Sequence, residues 1–171
     1  RVREQLLAAR GPHGHWEGEL SASALSTATA VVALALVDRE QHRALTRRGL
    51  DWLTQHANAD GGWGDTVLSV SNISTTTLAW AAFSLAGEPA PRAEAWLAQH
   101  AGGLDPERLA RAIIARYGKD RTFSVPILTT CALAGRLGWE QVMALPFELA
   151  VLPPELFRWL RLPVVSYALP A

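Results

Sequence analysis

Two stretches of the chain repeat one another. LSASALSTAT (Leu20–Thr29) lies over LSVSNISTTT (Leu68–Thr77) at a spacing of 48, agreeing at Leu, three Ser and two Thr, with Leu25 matched by Ile73. Each follows a glycine–tryptophan turn, Gly14-His15-Trp16 in one case and Gly61-Gly62-Trp63 in the other. A second echo, at a spacing of 44, pairs WLTQHA (Trp52–Ala57) with WLAQHA (Trp96–Ala101). The unit is therefore helix, Gly-Trp turn, helix, recurring every 44 to 48 residues. One such unit cannot bury its apolar face alone. Copies must stack into a solenoid or close into a toroid.

Periodicity fills in the elements. Helical spacing of apolar residues predicts helices over 2–10, 21–38, 40–57, 69–86, 90–101, 106–117 and 123–134. Ser21 or Ser23 is a fitting N-cap for the second, Gly87 and the Pro89–Pro91 pair stop the fourth, and Asp105-Pro106 opens the sixth. Pro126 falls inside the expected first turn of the last. Beyond Gly138 the pattern breaks into short pieces at Pro146, Pro153, Pro154 and Pro163. No stretch alternates strictly and no hairpin signal occurs, so the fold class is all-α. The helix before each turn is charged on one side, as in an outer layer. The helix after it is built from Ala, Ser, Thr and Val, which suit a crowded inner layer. Two concentric layers, an α/α toroid present as a partial barrel, fit this pattern better than an open solenoid.

Composition narrows the function. Residues 1–171 suffice for a single domain with a real core, and the sequence reads as a piece of something longer. Sixteen basic residues balance sixteen acidic ones and are scattered, Arg47–Arg48 being the densest spot, so nucleic acid is not an expected partner. One cysteine, Cys131 in TTCALAG, excludes an intrachain disulfide and fits a buried thiol in a cytoplasmic protein. The opening RVREQLLAARGPHG carries no signal-peptide core, and the apolar run Ala28–Val37 is too short to span a bilayer.

WLTQHANADGGWGD and LLAARGPHGHWEGEL resemble the QW repeats of the squalene–hopene cyclase and oxidosqualene cyclase superfamily, whose members are α/α toroids. In that motif an aromatic–Leu pair precedes a Gln, a short spacer and Gly-x-Trp; Trp52-Leu53 and Gly61-Gly62-Trp63 match it. The Gln position holds Ala57 in one repeat and Arg10 in the other, so both copies are degenerate. The likeness continues through HAGGLDPERLARAIIARYG and LTTCALAGRLGWEQVMALPFELAVLPPELFRWLRLPVVSYALPA, and so covers nearly the whole chain. It implies the amino-terminal portion of a triterpene cyclase. The complete enzyme would fold squalene or a related polyprenoid in a dry, aromatic-lined cavity, protonate it, and run a cationic polycyclisation of the hopanoid type. The family's acid is the middle Asp of a DxDD motif in a later, carboxy-terminal domain. No DxDD occurs in this sequence. The resemblance therefore implies no catalytic residue here, no metal or organic cofactor, a carboxy-terminal catalytic domain as partner, and peripheral, monotopic membrane contact.

Each candidate residue has a plainer competing explanation. Asp60 and Asp65 could form a carboxylate pair, but they sit where turn and capping residues belong. His13 and His15 flank Gly14 without Cys or Glu at ligand spacing, so loop histidines are favoured over a metal site. The related prenyltransferase β-subunits bind zinc through Asp, Cys and His, yet Cys131 has no Asp shortly before it and no His in a later helix. His56 and His100 hold equivalent positions near helix ends, where a cation suits the dipole. The run Ser74–Thr77 fits hydroxyls bonded back to the preceding helical turn better than a polar pocket lining. Phe123, Pro126 and Trp139 are the candidates for lining a hydrocarbon cavity, since aromatic faces stabilise cations; core packing is the alternative. Trp16, Gly14, Trp52, Gly61, Gly62 and Trp63 are the structural repeat motif. The apolar stretch Leu145–Ala171 could face a membrane or the remaining domain equally well. Two rival functions stand beside the cyclase: a noncatalytic toroid module that binds a lipid or protein, and a diterpene cyclase of the same superfamily, which would need a diphosphate site.

Overall fold

The computed structural model describes residues 1–18, 21–144, 148 and 151–160. The described residues hold eight α-helices and no strand: α1 Val2–Ala8, α2 Ala24–Val37, α3 Arg43–Gln55, α4 Ile73–Ala86, α5 Pro91–Ala101, α6 Pro106–Tyr117, α7 Arg121–Leu133 and α8 Pro154–Trp159, with a 3-10 turn at Trp139–Gln141 between the last two. The all-helical α/α partial barrel expected from the repeat is what forms.

Local chemistry sets where the helices begin. Ser23 caps α2 by accepting from the Ser26 amide, and Asn72 caps α4 by accepting from the Thr75 amide. These caps stand 49 residues apart, so α4 starts one position later than the sequence overlay of 48 implies. The reason is chemical: Ser71, the counterpart of Ser23, is engaged with Asp60 and Asn58 instead. Asp105 caps α6, with Pro106 behind it, as expected. Asp120 caps α7 by accepting from the Thr122 amide, so that helix begins at Arg121 rather than at Phe123. Pro126 therefore lies in the second turn, not the first. It is exposed and has no N–H for the Thr122 carbonyl.

Helix α4 organises the packing. Ten of its residues, from Ser74 to Phe83, are buried, and it packs against α2, α3, α5, α6 and α7. The small-residue helices α2, α4 and α7 make an inner row with α4 in the middle. The amphipathic helices α3, α5 and α6 lie outside it, α3 chiefly on α2 and α5 on α4. Small side chains permit close approach. A methyl group added at Gly49 of α3 would fall 2.5 Å from Val31 Cγ2 of α2. At the opposite ends of the helices, Arg39 bonds the Leu85 carbonyl and Arg47 bridges Asp51 and Glu88.

The second Gly-Trp turn locks α3 to α4. Trp63 is 4% exposed. Its indole N–H donates to the Leu53 carbonyl near the end of α3 at 2.9 Å, and its backbone amide donates to Thr76 Oγ1 of α4 at 3.0 Å. Its carbonyl accepts from the Asn72 amide, which returns the chain to the start of α4. The first turn repeats one of these bonds: Trp16 donates to the Leu6 carbonyl across the same ten-residue span, 2.6 Å. Trp16 is nevertheless 47% exposed, so the two turns share this bond but differ in how far the ring is enclosed. Helix α1 buries none of its residues.

Trp63→Ala should lower stability by roughly 3–5 kcal/mol, the range for deleting a fully buried large side chain, read as a fall in the urea midpoint; an unchanged midpoint would show that the ring bears no structural load. Cys131 supplies a second check. It is fully buried, and burial pushes its thiol up to about 12. The raised value means that its contribution to stability is complete below the unfolded-state pKa and fades as pH climbs toward the folded one. At pH 8 the native thiol should resist iodoacetamide and react only at the rate at which the chain unfolds.

Candidate functional site

The acids of the second turn are engaged in structure. Asp60 Oδ1 accepts from the Ser71 hydroxyl at 2.7 Å and from the Gly62 amide at 3.0 Å, while Oδ2 accepts from the Trp96 indole of α5 at 3.0 Å. Partial desolvation raises its pKa, but the bonds from Ser71, Gly62 and Trp96 together outweigh that and hold the carboxyl below its usual value. Asp65 accepts from the Asn72 side chain at 2.9 Å and from Thr75 Oγ1 at 2.6 Å. An acid able to protonate an alkene must stay neutral in a dry cavity. Asp60 is exposed and biased toward the carboxylate, which is the opposite requirement.

The turn backbone is seated as closely as its side chains. Gly61 has φ +93, and a methyl group there would lie 2.9 Å from the Arg92 carbonyl of α5, so glycine is demanded twice over. Gly62 is buried against Ser71 and Thr76. Arg92 completes the seat by donating to the carbonyls of Asn58 (3.3 Å) and Ala59 (2.6 Å). Gly14 has the corresponding φ, +80, but only the Arg10 side chain lies near it.

The histidines and hydroxyls also serve packing. His56 and His100 each donate from Nδ1 to the carbonyl four residues earlier, of Trp52 and Trp96, at 2.8 and 2.7 Å. Each ring stacks on that tryptophan, with centroids 4.1 and 3.7 Å apart. The helix-end position was legible; the stack was not. In the run Ser74–Thr77 only Thr77 bonds back to the previous turn, to Ile73. Ser74 reaches Tyr117, Thr75 reaches Asp65 and Thr76 reaches Trp63. The sequence expectation of back-bonding thus fits one residue of four, because the neighbouring turn engages Thr75 and Thr76 and Tyr117 at the end of α6 engages Ser74. His13 and His15 stack at 6.2 Å, and His15 contacts Glu17; among the described residues no three His, Cys, Asp or Glu side chains converge as metal ligands would.

Two of the cavity candidates share one helix face. Phe123 and Pro126 fall with Thr130 and Leu133 along a single face of the inner helix α7, at helical spacings of three and four. Phe123 and Leu133 are each 46% exposed, and Phe123 stacks on Tyr117 at 5.8 Å. Trp139, on the 3-10 turn that packs against α6 and α7, is 59% exposed. All three candidates are therefore surface residues of this chain, not core. Leu133 belongs with them and was missed, although its spacing of seven from Pro126 was a usable signal. Also missed was the stack that anchors the end of α7: the Arg136 guanidinium lies 4.2 Å over the Trp80 ring, whose indole N–H donates to Glu94 at 3.0 Å. A shallow groove of about 530 Å³ beside His100, Gly102, Arg108 and Arg111 offers little to a diphosphate, since Arg108 is engaged with Asp105 and the Gly102 carbonyl. Most of the apolar stretch Leu145–Ala171 lies outside the described residues; within it, Val151 and Trp159 are exposed. Among the described residues no helix is long and apolar enough to cross a membrane.

The Asp60 network predicts a pH dependence. A carboxyl whose folded pKa lies below its unfolded value contributes stability that is present above the unfolded pKa, near 3.8, and is lost as pH falls through the folded one. The stability difference between the native chain and Asp60→Asn, measured by urea unfolding, should shrink as pH falls from 5 through that window; a difference constant with pH would mean that the carboxylate charge plays no part.

Comparison with known proteins places this architecture. Residues 1–161 match the model of the squalene-hopene cyclase N-terminal domain. No curated protein and no solved structure matches the chain. The match spans the helix–turn–helix repeats, the inner row and the 3-10 turn alike, and the chain belongs to the squalene-hopene cyclase N-terminal domain family.

Proposed function

We propose that residues 1–171 form the amino-terminal domain of a triterpene cyclase and contribute one wall of the cavity in which squalene or a related polyprenoid is cyclised by proton initiation. The observation that carries this reading is the exposed apolar face of α7, bearing Phe123, Pro126 and Leu133, on an inner-row helix of a chain in this family. An apolar face on the inner side of a barrel buries nothing unless a chain of matching chemistry fills the space. Hydrocarbon meets that need, and the Phe123 and Trp139 rings would present negative faces to carbocations formed along it.

The division of labour follows. The turn acids are committed to hydrogen bonds, so the initiating acid belongs to a carboxy-terminal domain of the same protein, which would cover the exposed residues between Trp139 and Leu160. The surroundings would be cytoplasmic, with peripheral membrane contact serving the uptake of an apolar substrate. The reaction would be an isomerisation, or a hydration if water captures the last cation, and the wall needs only to exclude water and fix the fold of the polyene.

Residues 1–171 alone should give no turnover of squalene by gas chromatography, and activity from them would overturn the assignment of the acid elsewhere. In the full-length protein, Phe123→Ala and Leu133→Ala should alter the ratio of cyclised products while leaving the fold intact by circular dichroism. An unchanged product ratio in both would remove α7 from the cavity wall.

A further inference from the structure

Phe123 is half exposed, and a phenylalanine ring on an open face swings between rotamers unless a neighbour restrains it. The neighbour here is Tyr117, the last residue of α6. The two rings stack with centroids 5.8 Å apart and planes 28° from parallel. A wall that steers the folding of a polyene must hold its aromatic faces still, since a misplacement of about 1 Å in a positioning group costs on the order of 100-fold. What holds Tyr117 therefore decides what Phe123 can do.

Tyr117 is pinned at both ends. Its carbonyl accepts from the Asp120 amide at 3.0 Å, and the Gly118 amide that follows it donates to the Ile114 carbonyl at 2.8 Å. This tight turn carries the chain from α6 to Asp120, the cap of α7, and so fixes the backbone behind both rings. At the far end of the side chain, the phenol oxygen lies 2.8 Å from Ser74 Oγ in the first turn of α4. Ser74 is 3% exposed. A buried hydroxyl needs a partner, and a hydrogen bond supplies a direction that apolar packing lacks. The contact stands outside the repeat, because the overlay at 48 matches Ser74 to Ser26, which is exposed. Phenylalanine at position 117 would fill nearly the same space, but its ring would be free to slide along Phe123.

Resting on the cavity-wall reading above, we infer that Tyr117 is a positioning residue for the cyclisation. Ser74 holds its hydroxyl, and Tyr117 in turn sets the plane of the Phe123 face offered to the polyene. Three helices contribute one residue each: α4 the anchor, α6 the ring behind and α7 the ring in front. Tyr117 is the more enclosed of the two rings and acts through Phe123.

Product ratios from the full-length protein acting on squalene, read by gas chromatography, test this with a mutant cycle. Tyr117→Leu should change the ratio of cyclised products roughly two- to tenfold, the range spanned by the loss of one aromatic pair, and in the same direction as Phe123→Ala. Tyr117→Phe and Ser74→Ala keep the stack and remove only the anchor, so they should move the ratio the same way by less. On a Phe123→Ala background Tyr117→Leu should add nothing, since a residue that acts through another falls silent once the other is gone. A native ratio in both Tyr117 variants, with Phe123→Ala still altering it, would overturn the inference and leave the wall reading standing. An additive effect on the Phe123→Ala background would also overturn it, placing Tyr117 against the substrate on its own account. A native ratio in both Phe123→Ala and Leu133→Ala removes the wall and this inference with it. If circular dichroism shows that Tyr117→Leu does not fold, Tyr117→Phe carries the same comparison.

Discussion

The indole N–H of Trp63 finds its acceptor at the Leu53 carbonyl, on the last turn of α3, and the rest of the fold is arranged around that bond. A helix end leaves carbonyls without intrahelical partners, and a buried one must be satisfied. Here the Trp63 indole joins the His56 amide on that carbonyl, and the same residue brings its own backbone amide to Thr76 of α4. One residue thus joins the end of an outer helix to the inner helix that follows it. The six-membered network of Asn58, Asp60, Ser71, Arg92, Trp96 and the turn backbone then extends the same junction to α5. Three helices meet at one short turn, and α4, buried along ten residues, sits at the centre.

That arrangement explains why the acidic residues of the motif are poor chemical agents. Asp60 is valuable as a carboxylate because three donors converge on it, and convergence of donors favours the charged form. Proton donation to an alkene asks for the reverse, a carboxylic acid kept neutral by an apolar setting. The motif is therefore a connector whose charge is used for geometry. Chemistry is left to surfaces, and the surface offered on the inner row is apolar: Phe123, Pro126 and Leu133 on α7, with Trp139 nearby in sequence on the following turn.

The asymmetry between the two turns is equally physical. Trp16 and Trp63 make the same bond over the same span, yet only the latter is enclosed. The Trp63 ring lies beside Phe83 of α4, with centroids 6.1 Å apart, while Arg92 and Trp96 of α5 hold the turn backbone and Asp60 next to it.

Much of this was legible from residue order. The spacings of 48 and 44, the glycines that permit positive φ and the Asp105-Pro106 start of α6 fix helices, turns and an all-α layered fold, because those signals act within a few residues of themselves. Other features depend on where distant segments meet. Nothing local distinguishes Thr75 and Thr76, which hold the turn, from Thr77, which bonds its own helix. Nothing local places Arg136 over Trp80, or makes Asn72 the cap in place of Ser71. The sequence by itself determined which segments are helical, where glycine turns must fall and that the unit repeats. Only the tertiary structure decided which hydroxyls and carboxylates are consumed by packing and which apolar faces stay open, since hydrogen-bond partners and burial are set by contacts between residues far apart in the chain.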